Sequence, residues 1–347
     1  MIRIVHVGVG IRGSHWVEFV RDHPDTESAA FVDRDPAALE RARRAASGEP
    51  PCFEDLARAL EGVEADAALI ASPSALHADH ARAALEAGLA VMVEKPFAER
   101  VEDAAAVLRV ADETGRPLLV AENYRYWPAE RTVGKLVATR AIGRIDAATL
   151  VDRRNMPART EGPWLAHMEY PQLQEIAIHH FDSLRYWLAQ EPRAISARAW
   201  NPPRSDYRHG ANTQAWLEFE ETRVQYLGTL TSHRFSFSLW IEGEGGVIWT
   251  NRKQVFLRAA GSRFFRPVRR VKGAPGDEAP YPKGGTTSLL NALHDAVRNG
   301  VTPETNGTDN IWNVAMVEAA RRSDQEGRVV AIDEIHRPSE ARRTAAR

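Results

Sequence analysis

Six residues constrain this chain more than any others: Gly8-Val9-Gly10-Ile11-Arg12-Gly13 follows the apolar run IRIVHV and opens an amphipathic stretch. A glycine-rich turn between a strand and a helix is the setting in which such spacing binds a dinucleotide. Gly8 permits the tight turn, Gly10 lets the backbone approach a pyrophosphate, and Gly13 allows close helix packing. The helix N-terminus, with Ile11 and Arg12 in it, offers free N–H donors to the phosphates. Asp33 lies 20 residues beyond Gly13, at the end of the next apolar run, where a carboxylate can accept the adenosine ribose hydroxyls. That spacing favours NAD. The adjacent Arg34 keeps NADP open, because a guanidinium there can stack on adenine or meet a 2′-phosphate. A glycine turn without a ligand explains the glycines but not the strand, the helix and the Asp together.

The rest of the first third repeats the alternation, with SAAFVD, ADAALIA and AVMVE separated by helical stretches such as ALHADHARAALEAG and VEDAAAVLRVADETG. Strands alternating with helices predict a doubly wound parallel sheet, here over residues 1–122. Beyond it the pattern changes. Helices are expected around Ala129–Thr139, Gln172–Leu188, Thr286–Asn299 and Asn310–Gln325, with strands at Ile145–Val151, through Ile195–Leu257, and at Arg328–Ile332. Strand runs without intervening helices predict an open, mostly antiparallel sheet in an α+β domain over residues 123–335. The polar, basic segment 336–347 reads as a frayed tail.

With 45 Lys and Arg against 47 Asp and Glu, net charge -2, nothing draws the chain to nucleic acid or an anionic membrane. Cys52 is the sole cysteine, which excludes an intrachain disulfide and any metal centre built from cysteines. No signal peptide or spanning segment is visible, so a cytoplasmic location is expected, with a small polar hydroxylated molecule as partner. One exposed apolar sheet face would make a homodimer or homotetramer.

Ser72 and Pro73 with His77 follow the fourth predicted strand, and Glu94-Lys95-Pro96 follows the fifth. Both stretches therefore sit at the carboxyl edge, where such sheets bind ligands. A lysine there is either a solvated charge or one held for chemistry. Farther on, spacing residues 100° apart from Gln172 to Leu188 places Leu173, Ile176, Ala177, Phe181, Leu184 and Leu188 on one stripe. Glu175, His179 and Asp182 then share an arc of about 60° on the opposite face. A carboxylate one turn from the imidazole raises its proton affinity, as suits an acid–base group, although a solvated face reads the same way. His180 points into the apolar stripe and is expected to be a core or interface histidine.

At these residues the chain resembles the Gfo/Idh/MocA oxidoreductases, the family of glucose-fructose oxidoreductase and inositol dehydrogenase. The resemblance is carried by GVGIRG, Asp33, SPSALH, EKP, ENYRYWP, the run from Glu175 to Asp182 and the terminal AMVEAARRSDQEGR, across nearly the whole chain. It implies that Lys95 and His179 are catalytic, that Glu94, Pro96, Ser72, His77 and Asn123 border the nicotinamide, and that Asp182 supports the site. The chain departs from the family pattern where Glu175 and Ala177 replace an Asp and a Gly and where MEYPQLQ replaces a glycine-rich approach, which reshapes the substrate pocket.

Arg125, Arg153 and Arg154 near strand ends, and Trp164, are candidates to touch substrate, against the commoner reading of surface arginines. Trp200, Trp216, Trp240 and Trp249 in strands are more often core or subunit interface than sugar platforms. The expected chemistry moves a hydride between nicotinamide and a secondary carbinol carbon, with no metal. His179 accepts the hydroxyl proton and Lys95 stabilises the alkoxide, while Glu175 and Asp182 orient His179 or grip neighbouring hydroxyls. Two other readings keep NAD: a glycosidase working by transient oxidation, elimination and hydride return, and a non-enzymatic NAD-bound regulator, which would need neither Lys95 nor His179.

Overall fold

The computed structural model describes residues 1–161 and 163–337. The polar segment expected to fray lies almost wholly outside the described residues. Chain contacts divide the molecule into two units, residues 1–127 with 272–311, and residues 128–271 with 312–347.

In the first unit, strands and helices alternate as the apolar runs dictate: β1 (Ile2–Val7), α1 (Ile11–Asp22), β2 (Thr26–Val32), α2 (Pro36–Ala45), β3 (Cys52–Phe53), α3 (Leu56–Gly62), β4 (Ala67–Ile70), α4 (His77–Glu86), β5 (Ala90–Val93), α5 (Val101–Thr114) and β6 (Leu118–Val120). All six strands are parallel, in the order β3-β2-β1-β4-β5-β6. The order reverses between β1 and β4, so the turns after these two strands diverge and leave a crevice at the carboxyl edge. Strands β4 and β5 are buried along their whole length, as a sheet covered on both faces requires.

The second unit begins with α6 (Pro128–Ala138) and β7 (Ile145–Asn155), followed by two short helices, α7 (Ala158–Glu161) and α8 (Pro163–His167), and by α9 (Ile178–Leu188). Seven strands come next: β8 (Pro192–Trp200), β9 (Asn212–Phe219), β10 (Arg223–Thr229), β11 (Thr231–Gly243), β12 (Gly246–Thr250), β13 (Val255–Ala259) and β14 (Arg266–Val268). After α10 (Thr286–Asn299) and α11 (Gly307–Glu326), β15 (Val330–Ala331) completes a nine-stranded sheet in the order β14-β13-β12-β11-β7-β10-β9-β8-β15. Every pair in it is antiparallel except β7 with β10. The fold is therefore α/β, a doubly wound parallel sheet followed by a mostly antiparallel one.

Alternation along β9 and β11 buries Ala215, Leu217, Leu239 and Ile241 and turns Trp216 and Trp240 outward, at 41% and 37% exposed. Trp240 leans on Trp249 of β12 on that same open face. Helix α10 belongs to the first unit, where Leu289, Leu290 and Leu293 join Trp16, Phe19 and Tyr126 in one apolar cluster. This return of residues 272–311 has no local signature in the sequence. Among the described residues no helix is long and apolar enough to cross a membrane.

Candidate active site

The glycine turn is closed by backbone contacts. Gly8 has φ +84°, and a Cβ there would lie 2.5 Å from the Ser72 amide nitrogen. A Cβ on Gly13 would fall 2.0 Å from the Gly8 carbonyl oxygen, so the first turn of α1 packs directly on the loop. Gly10 is different: a Cβ there meets nothing within 4 Å. It caps α1 without a side-chain hydrogen bond, which leaves the first amides of the helix aimed past an open backbone. Asp33 accepts the Val9 N–H at 2.8 Å and the Asp35 N–H at 2.9 Å, one on each carboxylate oxygen. Each oxygen keeps a second lone pair for a ribose hydroxyl. Ile11 and Arg34 are exposed beside this loop. An open cradle, unsatisfied helix amides and a carboxylate at the next strand end fit a dinucleotide.

Arg12 turns its guanidinium inward. Its Nε donates to Glu94 Oε1 at 2.5 Å, and it lies over the Trp16 ring at 5.0 Å, while Trp16 Nε1 donates to the same carboxylate oxygen at 2.7 Å. Burial alone would raise the Glu94 carboxyl, but the charges of Arg12 and Lys95 and the two donated hydrogen bonds outweigh it and hold the group below the usual carboxylate range. Lys95 and Pro96 follow at once, with Lys95 half-buried. His77, 2% exposed, lies with Nδ1 2.7 Å from the Pro96 carbonyl and Nε2 2.7 Å from the Ser72 carbonyl, tying together the loops after β4 and β5. Burial lowers its proton affinity, opposed by those carbonyls. The Ser72 hydroxyl pairs with His80, and Pro73 is exposed.

Past β6 the chain makes a short turn, residues Asn123–Tyr126. Asn123 donates from Nδ2 to the Gly284 carbonyl at 2.7 Å and fastens that loop. Arg125, expected near substrate, is 4% exposed, and its guanidinium is held by Asp309 at 2.8 Å and the Glu304 carbonyl at 3.1 Å. Glu122, which sequence reasoning missed, is wholly buried, and burial pushes its carboxyl up to about 7 against the opposing charges of Lys95 and Arg125. A charged residue directly after an apolar strand was its only signal.

In the second unit the expected helix is not uniform. Residues Gln172–Ala177 form a π-helix, and only from Ile178 does the α-helical repeat hold. A wider turn changes the angular step, so the 100° spacing that placed Glu175 on the arc of His179 does not apply across this segment; such π turns recur at functional sites. The polar face is also not solvated. Of α9 only Tyr186 is less than fully buried, with His179 at 7% and Asp182 at 0% exposed. Glu175 is half-buried. Asp182 accepts a hydrogen bond from Asn313 at 2.9 Å, and Asn313 in turn receives one from Arg185 at 3.2 Å.

His180 is a core histidine, as its position on the apolar stripe led us to expect. Its Nδ1 lies 3.0 Å from the Tyr226 hydroxyl and its Nε2 3.3 Å from Asp152, while Gln172 donates to the same hydroxyl at 2.6 Å. Burial, then the charges of Arg252 and Arg154, keep the imidazole neutral. Arg154 neutralises the buried Asp152 at 2.8 Å and lies over Phe235, whereas Arg153 is half-exposed and Trp164 is 52% exposed. Lys95, Glu94 and His77 thus come together within the first unit, and His179 and Asp182 with their supports within the second.

Known proteins share this architecture. A D-apiose dehydrogenase from Paraburkholderia graminis is 26% identical over 95% of this chain and 89% of its own length. An inositol 2-dehydrogenase from Rhizobium meliloti is 24% identical over 95% and 99%. A crystallised oxidoreductase from Agrobacterium radiobacter, in complex with NAD+, L-tartaric acid and magnesium, superposes with a TM-score of 0.87 at 20% identity, covering 96% of this chain and 99% of that one. Residues 2–122 match the oxidoreductase family's NAD-binding Rossmann fold and residues 135–332 its C-terminal alpha/beta domain. The chain belongs to the Gfo/Idh/MocA oxidoreductase family and is an NAD(P)-dependent enzyme acting on CH–OH groups.

Proposed function

We propose that this enzyme oxidises or reduces a secondary hydroxyl carbon of a sugar, cyclitol or related polyol, the class to which the apiose and inositol dehydrogenases point. The observation that carries the reading lies in the first unit: a half-buried lysine follows a carboxylate fixed by Arg12 and Trp16, on the sheet that also presents the open Gly10 turn. Bound NAD supplies the acceptor or donor of the hydride. Gly8, Gly10, Ile11, Arg12 and Gly13 receive the pyrophosphate, and Asp33 the adenosine ribose, with Arg34 beside it. Ser72, Pro73, His77, Glu94, Pro96 and Asn123 shape the nicotinamide end, several of them by holding loops rather than by direct contact.

Lys95 hydrogen-bonds the substrate oxygen and stabilises its negative charge, and His179 takes or returns the hydroxyl proton. Asp182, fixed by Asn313, and Glu175, on the wider π turn, orient the imidazole or grip a neighbouring hydroxyl. Arg153 and Trp164, with their exposed surfaces, are the residues left to set substrate preference; Arg125 and Arg154 are engaged by Asp309 and Asp152. The open sheet face with Trp216 and Trp240 fits self-association, which sedimentation tests.

The deciding experiment is a screen of sugars, inositols, sugar acids and glycosides, following NADH absorbance and released aglycone together. NADH accumulating in step with product supports the proposal. Aglycone release without net NADH overturns it in favour of redox-neutral elimination.

A further inference from the structure

Tyr226 and Gly228 alternate onto the buried face of β10, and the parallel register with β7 sets Asp152 beside Gly228. Two residues of the helical segment meet the phenol there. Gln172, which opens the π-helix, donates from Nε2 to the Tyr226 hydroxyl at 2.6 Å, and His180 of α9 places Nδ1 3.0 Å from the same oxygen. Gln172, Tyr226, His180 and Asp152 are all buried. Gly228 supplies the room: a Cβ there would run into Gln172 Nε2 and stand 2.5 Å from the Tyr226 hydroxyl oxygen. These contacts have a direction. The phenol accepts from the Gln172 amide and gives its own proton to His180 Nδ1, and a neutral imidazole that accepts at Nδ1 carries its proton on Nε2. That nitrogen faces Asp152 Oδ2 at 3.3 Å, an oxygen that also accepts from Arg154 Nε at 2.8 Å. Burial, with the charges of Arg252 and Arg154, keeps the ring neutral, as this direction requires.

We propose that Tyr226 is a positioning residue for the acid–base step, its hydroxyl clamping the π turn that carries Glu175 to the α-helix that carries His179. The proposal rests on the roles given above to those two residues. The helical step changes between Ala177 and Ile178, so Glu175 lies on one side of the change and His179 on the other. Two side chains that must act together across such a change need an anchor on each side of it. One oxygen supplies both, through Gln172 before the change and through His180, the chain neighbour of His179, after it. The far end of the chain of hydrogen bonds is held in turn, because Asp152 is matched by Arg154. In this arrangement His180 is a fixed strut, and the proton traffic of the pair of histidines belongs to His179.

The test reads His179 directly. Wild-type and Tyr226→Phe proteins are treated with diethyl pyrocarbonate across pH, and tandem mass spectrometry follows carbethoxylation of His179. Loss of the hydroxyl frees Glu175 from the imidazole, so the half-labelling pH should fall by about half a unit. On the substrate that the screen selects, kcat should fall about 30-fold while NAD affinity stays within about threefold. A hydroxyl that serves stability alone would lower the melting temperature and move neither reading. An unmoved labelling midpoint, or wild-type kcat, in a Tyr226→Phe protein with native near-UV circular dichroism therefore overturns the proposal. If that variant does not fold, Gln172→Leu, which removes the donor and keeps the phenol, must give the same two changes, and their absence overturns it. Ring-labelled wild-type protein adds a check by 15N NMR: His180 must carry its proton on Nε2, and an Nδ1–H ring reverses the chain and overturns it. Failure of the labelling shift leaves the dehydrogenase reading standing, and failure of every substrate to reduce NAD leaves the labelling and the tautomer to decide the clamp.

Discussion

The two halves of the molecule arrange their polar groups in opposite ways. In the first unit, polar groups stand just past strand ends and are satisfied by neighbours on the same loops: Asp33 by Val9 and Asp35, His77 by Ser72 and Pro96. In the second they sit on a helix buried on nearly all sides and depend on partners far along the chain, Asp182 on Asn313 and His180 on Tyr226 and Asp152. A site at a sheet edge needs only local order, because backbone carbonyls and amides are already there to meet it. On an interior helix partners such as Asn313 and Tyr226 must reach in from elsewhere in the fold, since each polar atom left unmatched costs about 1–3 kcal/mol.

The largest effects should treat both halves alike. Lys95→Ala and His179→Ala should each lower kcat about 10³-fold while NAD affinity, measured by fluorescence titration, stays within about threefold; unchanged turnover in either removes that residue from the scheme. Gly13→Ala then isolates the first half. Its Cβ would meet the backbone of Gly8, so urea denaturation should show a loss of about 3 kcal/mol together with lost NAD binding.

Glu130 isolates the second half. It is buried beside Arg252, and burial pushes its carboxyl up to about 7, opposed by that guanidinium. A folded value raised above the unfolded one favours the protonated form, so its contribution is present below about pH 4.5 and is lost as pH rises through about 7. Between pH 5 and 8 wild type should lose up to about 3 kcal/mol that Glu130→Gln does not, visible in urea midpoints. Asn313→Ala should cost about 2 kcal/mol and also depress kcat, because Asp182 loses its fixed donor; a purely structural loss with unchanged kcat separates Asp182 from catalysis. The smallest change is expected at Gly10→Ala. With empty space around the new methyl, stability should move by less than about 1 kcal/mol while NAD affinity falls, and intact affinity would remove Gly10 from the cradle.

This contrast also explains what could be read in advance. The glycine turn, Asp33 and the alternation of β1 to β6 follow from short-range pattern, and α10 falls on Thr286–Asn299 as its periodicity predicts. The antiparallel character of the second sheet is likewise visible in its uninterrupted strand runs. The π turn at Gln172–Ala177 is not, since periodicity analysis assumes a constant angular step. Nor could the sequence reveal that α9 is enclosed, because its polar residues look the same facing water or facing Asn313 and Tyr226. Arg125 and Arg154 read as exposed charges for the same reason: Asp309 and Asp152 neutralise them only once the chain has folded.

The apolar cluster that seats Leu289, Leu290 and Leu293 against Trp16 and Phe19 has a consequence for biosynthesis. A nascent chain released as far as residue 127 carries all six parallel strands yet lacks the helix that covers Trp16, so this unit cannot mature before the ribosome has delivered residues 128–271 and the α10 segment behind them. Until then its uncovered indole and phenyl rings are a standing target for chaperones, and a gene cut at that boundary would encode a sticky fragment rather than a portable nucleotide-binding module.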